Sequence, residues 1–142
     1  MKVAIGYSSK EDIPGIIEIE KASFSLPWGE EVFGEKLDSL LAAKIEGRVA
    51  AYILFEKIAD ELHIIRLAVH PEFRRRGIAK NLVETVLEQT RGSGVKSVYL
   101  EVRESNLASK KLYESLGFDI IGKRKSYYTN PDEDALIMAK KI

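Results

Sequence analysis

Leu67-Ala68-Val69-His70-Pro71-Glu72-Phe73-Arg74-Arg75-Arg76-Gly77-Ile78-Ala79 is the stretch from which the fold is read. Before it, Leu62 to Val69 has strand character, and His70-Pro71-Glu72 ends it. After it runs the clearest helix in the chain, from Gly77. Ile78, Ala79, Leu82, Val83, Val86 and Leu87 fall on one apolar face, while Lys80, Glu84, Glu88 and Arg91 take the other. Gly92 and Gly94 stop it. A strand therefore feeds through a basic turn into a helix start. Such a start exposes unpaired backbone N–H groups and the positive end of the helix dipole, which together suit an anion such as a pyrophosphate. Gly77 lets the backbone come close, Ala79 is too small to obstruct, and the arginines add positive potential. The same letters also read as a solvated basic turn before an ordinary helix, and on this segment alone the two readings stand even. A Walker A loop is excluded, and a dinucleotide turn needs more than one glycine.

Working outward, Val3-Ala4-Ile5 reads as a first strand. Ser9 to Asp12 offers helix-cap chemistry and Pro14 fits a first helical turn. Ile13, Ile16, Ile17, Glu20 and Phe24 form a helical stripe, broken by Leu26-Pro27-Trp28-Gly29. A second helix is expected from about Glu30 to Leu40, with Val32, Phe33, Leu37 and Leu40 or Leu41 inward. Two turns, Glu46-Gly47-Arg48 and Ala59-Asp60-Glu61, divide strands at Leu41–Ile45, Val49–Glu56 and Leu62–Val69. Beyond the central helix come a strand at Val95–Val102 and a helix capped by Ser105 or Asn106 that ends at Leu116-Gly117. The last strands are Phe118–Gly122 and Ala135–Ala139, with a polar loop from Lys123 to Asp134 that holds Tyr127 and Tyr128. This order predicts one α/β domain over residues 1–142. Its sheet is mixed, of six or seven strands with a parallel pair at the centre, flanked by about four helices. Too many strands meet by tight turns for a doubly wound sheet.

Composition narrows the function classes. The 142 residues carry 22 basic and 22 acidic side chains, with 45% hydrophobic and 31% charged. Balanced charge gives no bulk attraction to nucleic acid or to an anionic membrane. Without cysteine there is no disulfide framework, thiolate metal site or cysteine nucleophile. His63 and His70 lack metal-ligand spacing, so no metal is expected. His63 reads as a polar edge residue and His70, before Pro71, as structural. No leader or membrane-length apolar run is seen, and a soluble cytoplasmic protein is expected. Oligomeric state is not legible.

The opening segment resembles motif A of the GNAT acetyltransferases, whose Q/R-x-x-G-x-G/A signature falls on Arg74, Gly77 and Ala79. The resemblance implies acetyl-CoA as co-substrate, with its pyrophosphate on the turn formed by Arg75, Arg76, Gly77, Ile78, Ala79 and Lys80. It also implies that the strand splays from its neighbour, so that Leu67, Ala68 and Val69 pair through their backbone with the pantetheine arm. Glu101-Val102-Arg103-Glu104-Ser105-Asn106 and Leu112-Tyr113-Glu114-Ser115-Leu116-Gly117-Phe118 resemble motif B. Their form is most similar to the branch of ribosomal-protein-alanine N-acetyltransferases and their archaeal relatives. Ala22 to Trp28, and Tyr127-Tyr128 with Glu133 to Met138, are similar to the same branch. The likeness spans the chain from the first helix to Met138. It implies the GNAT fold and direct transfer of acetyl to a protein N-terminus, a ribosomal protein being one candidate. The alternatives are a lysine side chain or small amine as acceptor, or a non-catalytic domain binding CoA or, less in keeping with the charge balance, RNA.

By resemblance Glu101 is the base, the backbone N–H near Val69 polarises the thioester carbonyl, and Tyr113 protonates the leaving sulfur. Asn106 contacts CoA, and Phe24, Trp28, Tyr127 and Tyr128 line the peptide entrance. An α-ammonium has a pKa of about 7.7–8.0, so one carboxylate acting through water is help enough. From the residues alone other readings stand beside these. Tyr99, Glu101 and Arg103 share a strand face, where Glu101 could be merely wet. Tyr113 falls on the apolar stripe of Ala108, Leu112 and Leu116, as a core tyrosine would. Asn106 could be only a helix cap, and the four aromatics only packing.

Overall fold

The structure is a computed structural model and describes residues 2–142. Its strands are β1 Ala4–Tyr7, β2 Leu40–Ile45, β3 Arg48–Ile58, β4 Glu61–Val69, β5 Ser97–Arg103, β6 Asp119–Tyr128 and β7 Glu133–Lys141. Its helices are α1 Ile13–Ser23, α2 Glu30–Gly34, α3 Ile78–Thr90 and α4 Leu107–Ser115. The strands form one sheet in the order β1-β2-β3-β4-β5-β7-β6. β4 and β5 pair in parallel, Glu61 to Ile64 against Ser97 to Leu100, while β4 runs on to Val69 and β5 to Arg103. A parallel pair requires a crossover, and α3 supplies it. No helix among the described residues is long and apolar enough to cross a membrane.

The chain groups into two compact units, one running up to Phe55 and including Arg66–Val86, the other formed by Glu56–Ile65 and Leu87–Ile142. In the first, Ile16 and Ile19 of α1, Phe33 of α2, Leu40, Tyr52, Leu54 and Ala68 make a buried cluster with Phe24 and Trp28 at its margin. Phe33 meets Tyr52 edge-on, ring centroids 5.4 Å apart. In the second, the β5 alternation predicted from sequence holds: Val98, Leu100 and Val102 are buried while Tyr99, Glu101 and Arg103 are half-buried. Phe118, Ala135, Leu136 and Met138 are buried in the same unit.

Two expectations need correction. The helix expected from Glu30 to Leu40 ends at Gly34, and a 3-10 turn at Leu37–Ser39 leads into β2. Glycine is a poor helix interior residue, and Leu40 and Leu41 are spent on β2, where both are buried. The loop expected from Lys123 to Asp134 is mostly strand. Lys123 and Arg124 pair with Leu136 and Ala135, and Tyr128 with Glu133. As β6 ends the sheet order, its polar run suits an edge strand rather than a loop. Tyr127 and Tyr128 thus close a strand, at a register irregularity between Arg124 and Tyr128 that contains the left-handed Ser126. A smaller difference concerns α1, where Ile19, outside the predicted stripe, is fully buried and Ile17 only partly.

Candidate active site

The basic turn is built as the sequence suggests, with unequal arginines. Arg74 donates through Nε to the Val69 carbonyl at 3.0 Å and through Nη2 to Ser23 Oγ at 3.2 Å, tying the turn to the end of β4 and to α1. Arg75 is left-handed at φ 65° and Gly77 at 76°. The Arg76 guanidinium lies 5.5 Å from the centroid of Phe73. Asn81 N–H bonds back to the Gly77 carbonyl at 3.1 Å, so the N–H groups of Ile78, Ala79 and Lys80 precede the first helical bond of α3. No acidic residue in that turn competes for the dipole. A Cβ placed on Gly77 would meet nothing within 4 Å. The side of the turn on which a Gly77 Cβ would stand is thus open.

His70 serves this turn structurally. It is buried, its Nδ1 accepts the Glu72 N–H at 3.1 Å, and its Nε2 lies 3.1 Å from Glu18 Oε1. His63 stacks on Tyr99 at 5.5 Å and pairs with Glu61 at 3.0 Å.

The second set of residues lies on β5, α4 and the β6–β7 hairpin. Glu101 projects from the wetter β5 face, and Arg124 Nε is 3.6 Å from its carboxylate. Tyr113 is 5% exposed. What terminates α4 also fixes this ring. Gly117 is left-handed at φ 91°, Gly117 N–H bonds the Glu114 carbonyl and Phe118 N–H reaches back to the Tyr113 carbonyl, both at 3.0 Å. That is a Schellman ending, whose usual apolar contact is here Phe118 edge-on to Tyr113 at 5.4 Å. Burial raises the Tyr113 hydroxyl well above the ordinary phenol value, with a smaller contribution from Tyr128. The Tyr128 hydroxyl is pushed up to about 12, by burial first and then by Tyr127 and Glu101. Asn106 caps α4, its Oδ1 accepting the Ser109 N–H at 3.1 Å.

Arg103, which the motif resemblance assigns no role, is a hub of this region. Its Nη1 donates to the Pro131 carbonyl at 3.0 Å and its Nη2 to the Thr129 carbonyl at 3.1 Å, and its guanidinium lies 4.5 Å from the Tyr128 ring centroid. Glu133 pairs with Arg103 at 3.3 Å and accepts the Ser105 N–H at 2.6 Å, and bonding to Ser105, then Arg103, holds its carboxyl below the usual range. Tyr127 and Tyr128 meet edge-to-face at 5.0 Å. One sequence signal was available: Arg103 follows Glu101 at the strand period.

The Phe24–Trp28 segment is anchored from beneath. Glu20, fully buried, accepts from the Trp28 N–H at 2.8 Å, from Arg66 at 2.8 and 3.1 Å, and from the Tyr52 hydroxyl. Arg66 lies against both Phe24 and Trp28. The sequence pattern places Glu20 only within a helical stripe and assigns Arg66 no role.

The acetyltransferase (GNAT) family model matches residues 13–118, which takes in α1, the basic turn, Glu101 and Tyr113. The chain belongs to the GNAT acetyltransferase family. Among GNAT relatives, it is 37% identical to the [ribosomal protein bS18]-alanine N-acetyltransferase of Salmonella typhimurium, over 97% of each chain. With the Escherichia coli enzyme of the same name it shares 36% identity over 92% of each chain. The crystal structure of the ribosomal-protein-S18-alanine N-acetyltransferase from Escherichia coli superimposes with a TM-score of 0.90 at 33% identity, covering 99% of this chain and 94% of that one. Ard1 from Thermoplasma volcanium superimposes with a TM-score of 0.91 at 26% identity, covering 100% and 99%. The seven-stranded mixed sheet with four helices is the GNAT fold.

For a GNAT enzyme the turn at Gly77 yields a direct expectation. Gly77→Val places a β-branched residue at φ 76°, which costs roughly 1–2 kcal/mol in the left-handed region, and fills the open side of the cradle. Acetyl-CoA affinity should fall by at least about tenfold, equivalent to ~1.4 kcal/mol, while the protein still melts cooperatively. Titration calorimetry beside a thermal melt checks this. Unchanged affinity in a folded variant would remove the anion-site argument.

Proposed function

We propose that this chain transfers the acetyl group of acetyl-CoA to the α-amine of a protein N-terminus, in a ternary complex and without an acyl-enzyme. The observation that carries this reading is near-full-length likeness to relatives named for that activity. Those relatives are named as alanine N-acetyltransferases of ribosomal protein bS18, and the reading takes the N-terminus of such a protein, met in the cytoplasm, as the acceptor here.

The chemistry divides among few groups. Glu101, directly or through a water, takes a proton from the α-ammonium, and the neutral amine attacks the thioester carbonyl carbon; the nitrogen's second proton leaves to water as the amide forms. The carbonyl oxygen gathers charge and takes a hydrogen bond from backbone N–H near Val69. The C–S bond then breaks, and Tyr113 gives its proton to the departing sulfur. The phenol holds its proton at the pH where the amine has lost its own, as a proton donor must. The pyrophosphate rests on the amides of Arg75 to Lys80, the pantetheine on the backbone of Leu67 to Val69, and Asn106 contacts CoA. Phe24, Trp28, Tyr127 and Tyr128 receive the peptide.

A peptide library varied at its first two positions tests the proposal. Incubated with acetyl-CoA, it should gain acetyl groups on α-amines, with alanine-initiated peptides among the best acceptors. Failure of every free N-terminus to react, by an enzyme that binds acetyl-CoA, would overturn it.

A further inference from the structure

Along β4 the buried positions Leu62, Ile64 and Ala68 alternate, and Arg66 stands in their series. An arginine at an apolar position must find a counter-charge and hydrogen bonds. Arg66 finds Glu20, with side-chain exposures of 15% and 0%. The pairing is a fork: Nη2 on Oε1 at 2.8 Å and Nε on Oε2 at 3.1 Å. The rest of the carboxylate's capacity goes to the Trp28 N–H and the Tyr52 hydroxyl.

What the guanidinium faces makes it more than a buried ion pair. Its carbon lies 3.7 Å from the Phe24 ring centroid and 4.1 Å from that of Trp28, and Nη2 also reaches the Leu26 carbonyl at 3.4 Å. One side chain therefore touches three of the five residues of the Phe24–Trp28 loop, and its carboxylate partner holds a fourth contact at the Trp28 N–H. Guanidinium stacking on aromatic faces and two-point pairing with a carboxylate are both geometries that lysine does not reproduce. The loop is a short break between two helices, α1 ending at Ser23 and α2 beginning at Glu30. Arg66 also directly precedes Leu67 in the chain.

We propose that Arg66 is a positioning residue for the acceptor peptide. It clamps the Phe24–Trp28 loop to the strand that carries Leu67–Val69, and thereby sets which N-terminal residues the enzyme accepts. The proposal rests on the reading that this loop meets the peptide. Glu20 is the clamp's anchor, and Arg66 lies against one face each of Phe24 and Trp28; both rings remain half-buried, and Leu26, 57% exposed, stands beside them.

Arg66→Lys tests this. Lysine keeps a positive charge opposite Glu20, so no buried carboxylate is stranded, yet it loses the fork and the stack. The double variant Glu20→Gln/Arg66→Met removes both charges together and serves if the single variant does not fold. Thermal melts, acetyl-CoA affinity by calorimetry, and kcat and KM across the peptide library are measured for each. A loosened loop must be ordered at binding, at a cost in affinity. The expected result is a peptide KM raised about tenfold, with kcat and acetyl-CoA affinity within about threefold, and a flattened preference among first residues. Unchanged peptide KM and preference in a folded variant would overturn the proposal. So would an equal loss of acetyl-CoA and peptide binding, which marks a general fold element. Should the unaltered enzyme acetylate no free N-terminus, the proposed function fails instead, so the two failures are distinguishable.

Discussion

Tyr113→Phe is expected to lower turnover by about 10²–10⁴-fold, the usual worth of general acid catalysis, while acetyl-CoA affinity stays nearly unchanged. Phenylalanine preserves the ring that meets Phe118 edge-on and the Schellman ending that holds it, so packing survives and only the hydroxyl is lost. Sulfur needs the proton only as charge develops on it, and an interaction made only in the transition state appears in kcat rather than in ground-state binding. Rapid-mixing measurement of the chemical step, beside calorimetry with acetyl-CoA, checks both halves. Full turnover in the folded variant would show that another group, or solvent, protonates the thiolate.

The second large effect belongs to Glu101→Gln, and its form matters more than its size. Turnover should fall strongly below pH ~7.7–8.0, where the acceptor is mostly α-ammonium. The loss should shrink as pH rises through that range and free amine becomes abundant. Tyr113→Phe should show no such recovery, because raising the pH supplies no proton to a leaving thiolate. The two phenols do not confuse the profile: burial raises Tyr113, and Tyr128 is pushed up to about 12, so both keep their protons throughout. A Glu101→Gln loss that is equal at every pH would mean that Glu101 positions a water or the peptide. The assignment of base would then be withdrawn.

The parts legible in the sequence were those where one local pattern decides the structure. The apolar face of α3, the β5 alternation and the Gly117 stop each depend on neighbours a few residues apart, and each appears as read. The basic turn was legible because a strand, a glycine and a helix start follow one another without a gap. The β6 strand was not legible because its polar run gains strand geometry only by pairing with β7, and pairing is not written in local composition. The short α2 was missed because apolar residues at helical spacing, Leu40 and Leu41, serve a strand instead.

At the candidate site the same division holds. The motif resemblance names Glu101, Tyr113 and the turn as candidates. It did not reveal what holds Phe24 and Trp28, because Arg66 and Glu20 are 46 residues apart, as is typical of pairs made by tertiary contact. A signal did exist in the letters Ile64-Ile65-Arg66-Leu67-Ala68. A charge on the apolar side of a strand demands a buried partner, and Glu20 within an otherwise apolar stripe answers that demand.

The central claim is that the acceptor is a protein α-amine. The most direct measurement offers the enzyme acetyl-CoA with two peptides of one sequence, alanine first and one lysine inside, the second peptide blocked at its N-terminus. Acetylated positions are then mapped by tandem mass spectrometry. The account predicts acetylation of the free peptide on its α-amine and negligible reaction of the blocked peptide, because a lysine ammonium at pKa ~10.4 yields far less free amine near neutrality. Turnover of the blocked peptide at its lysine, equal to or faster than that of the free one, would contradict it.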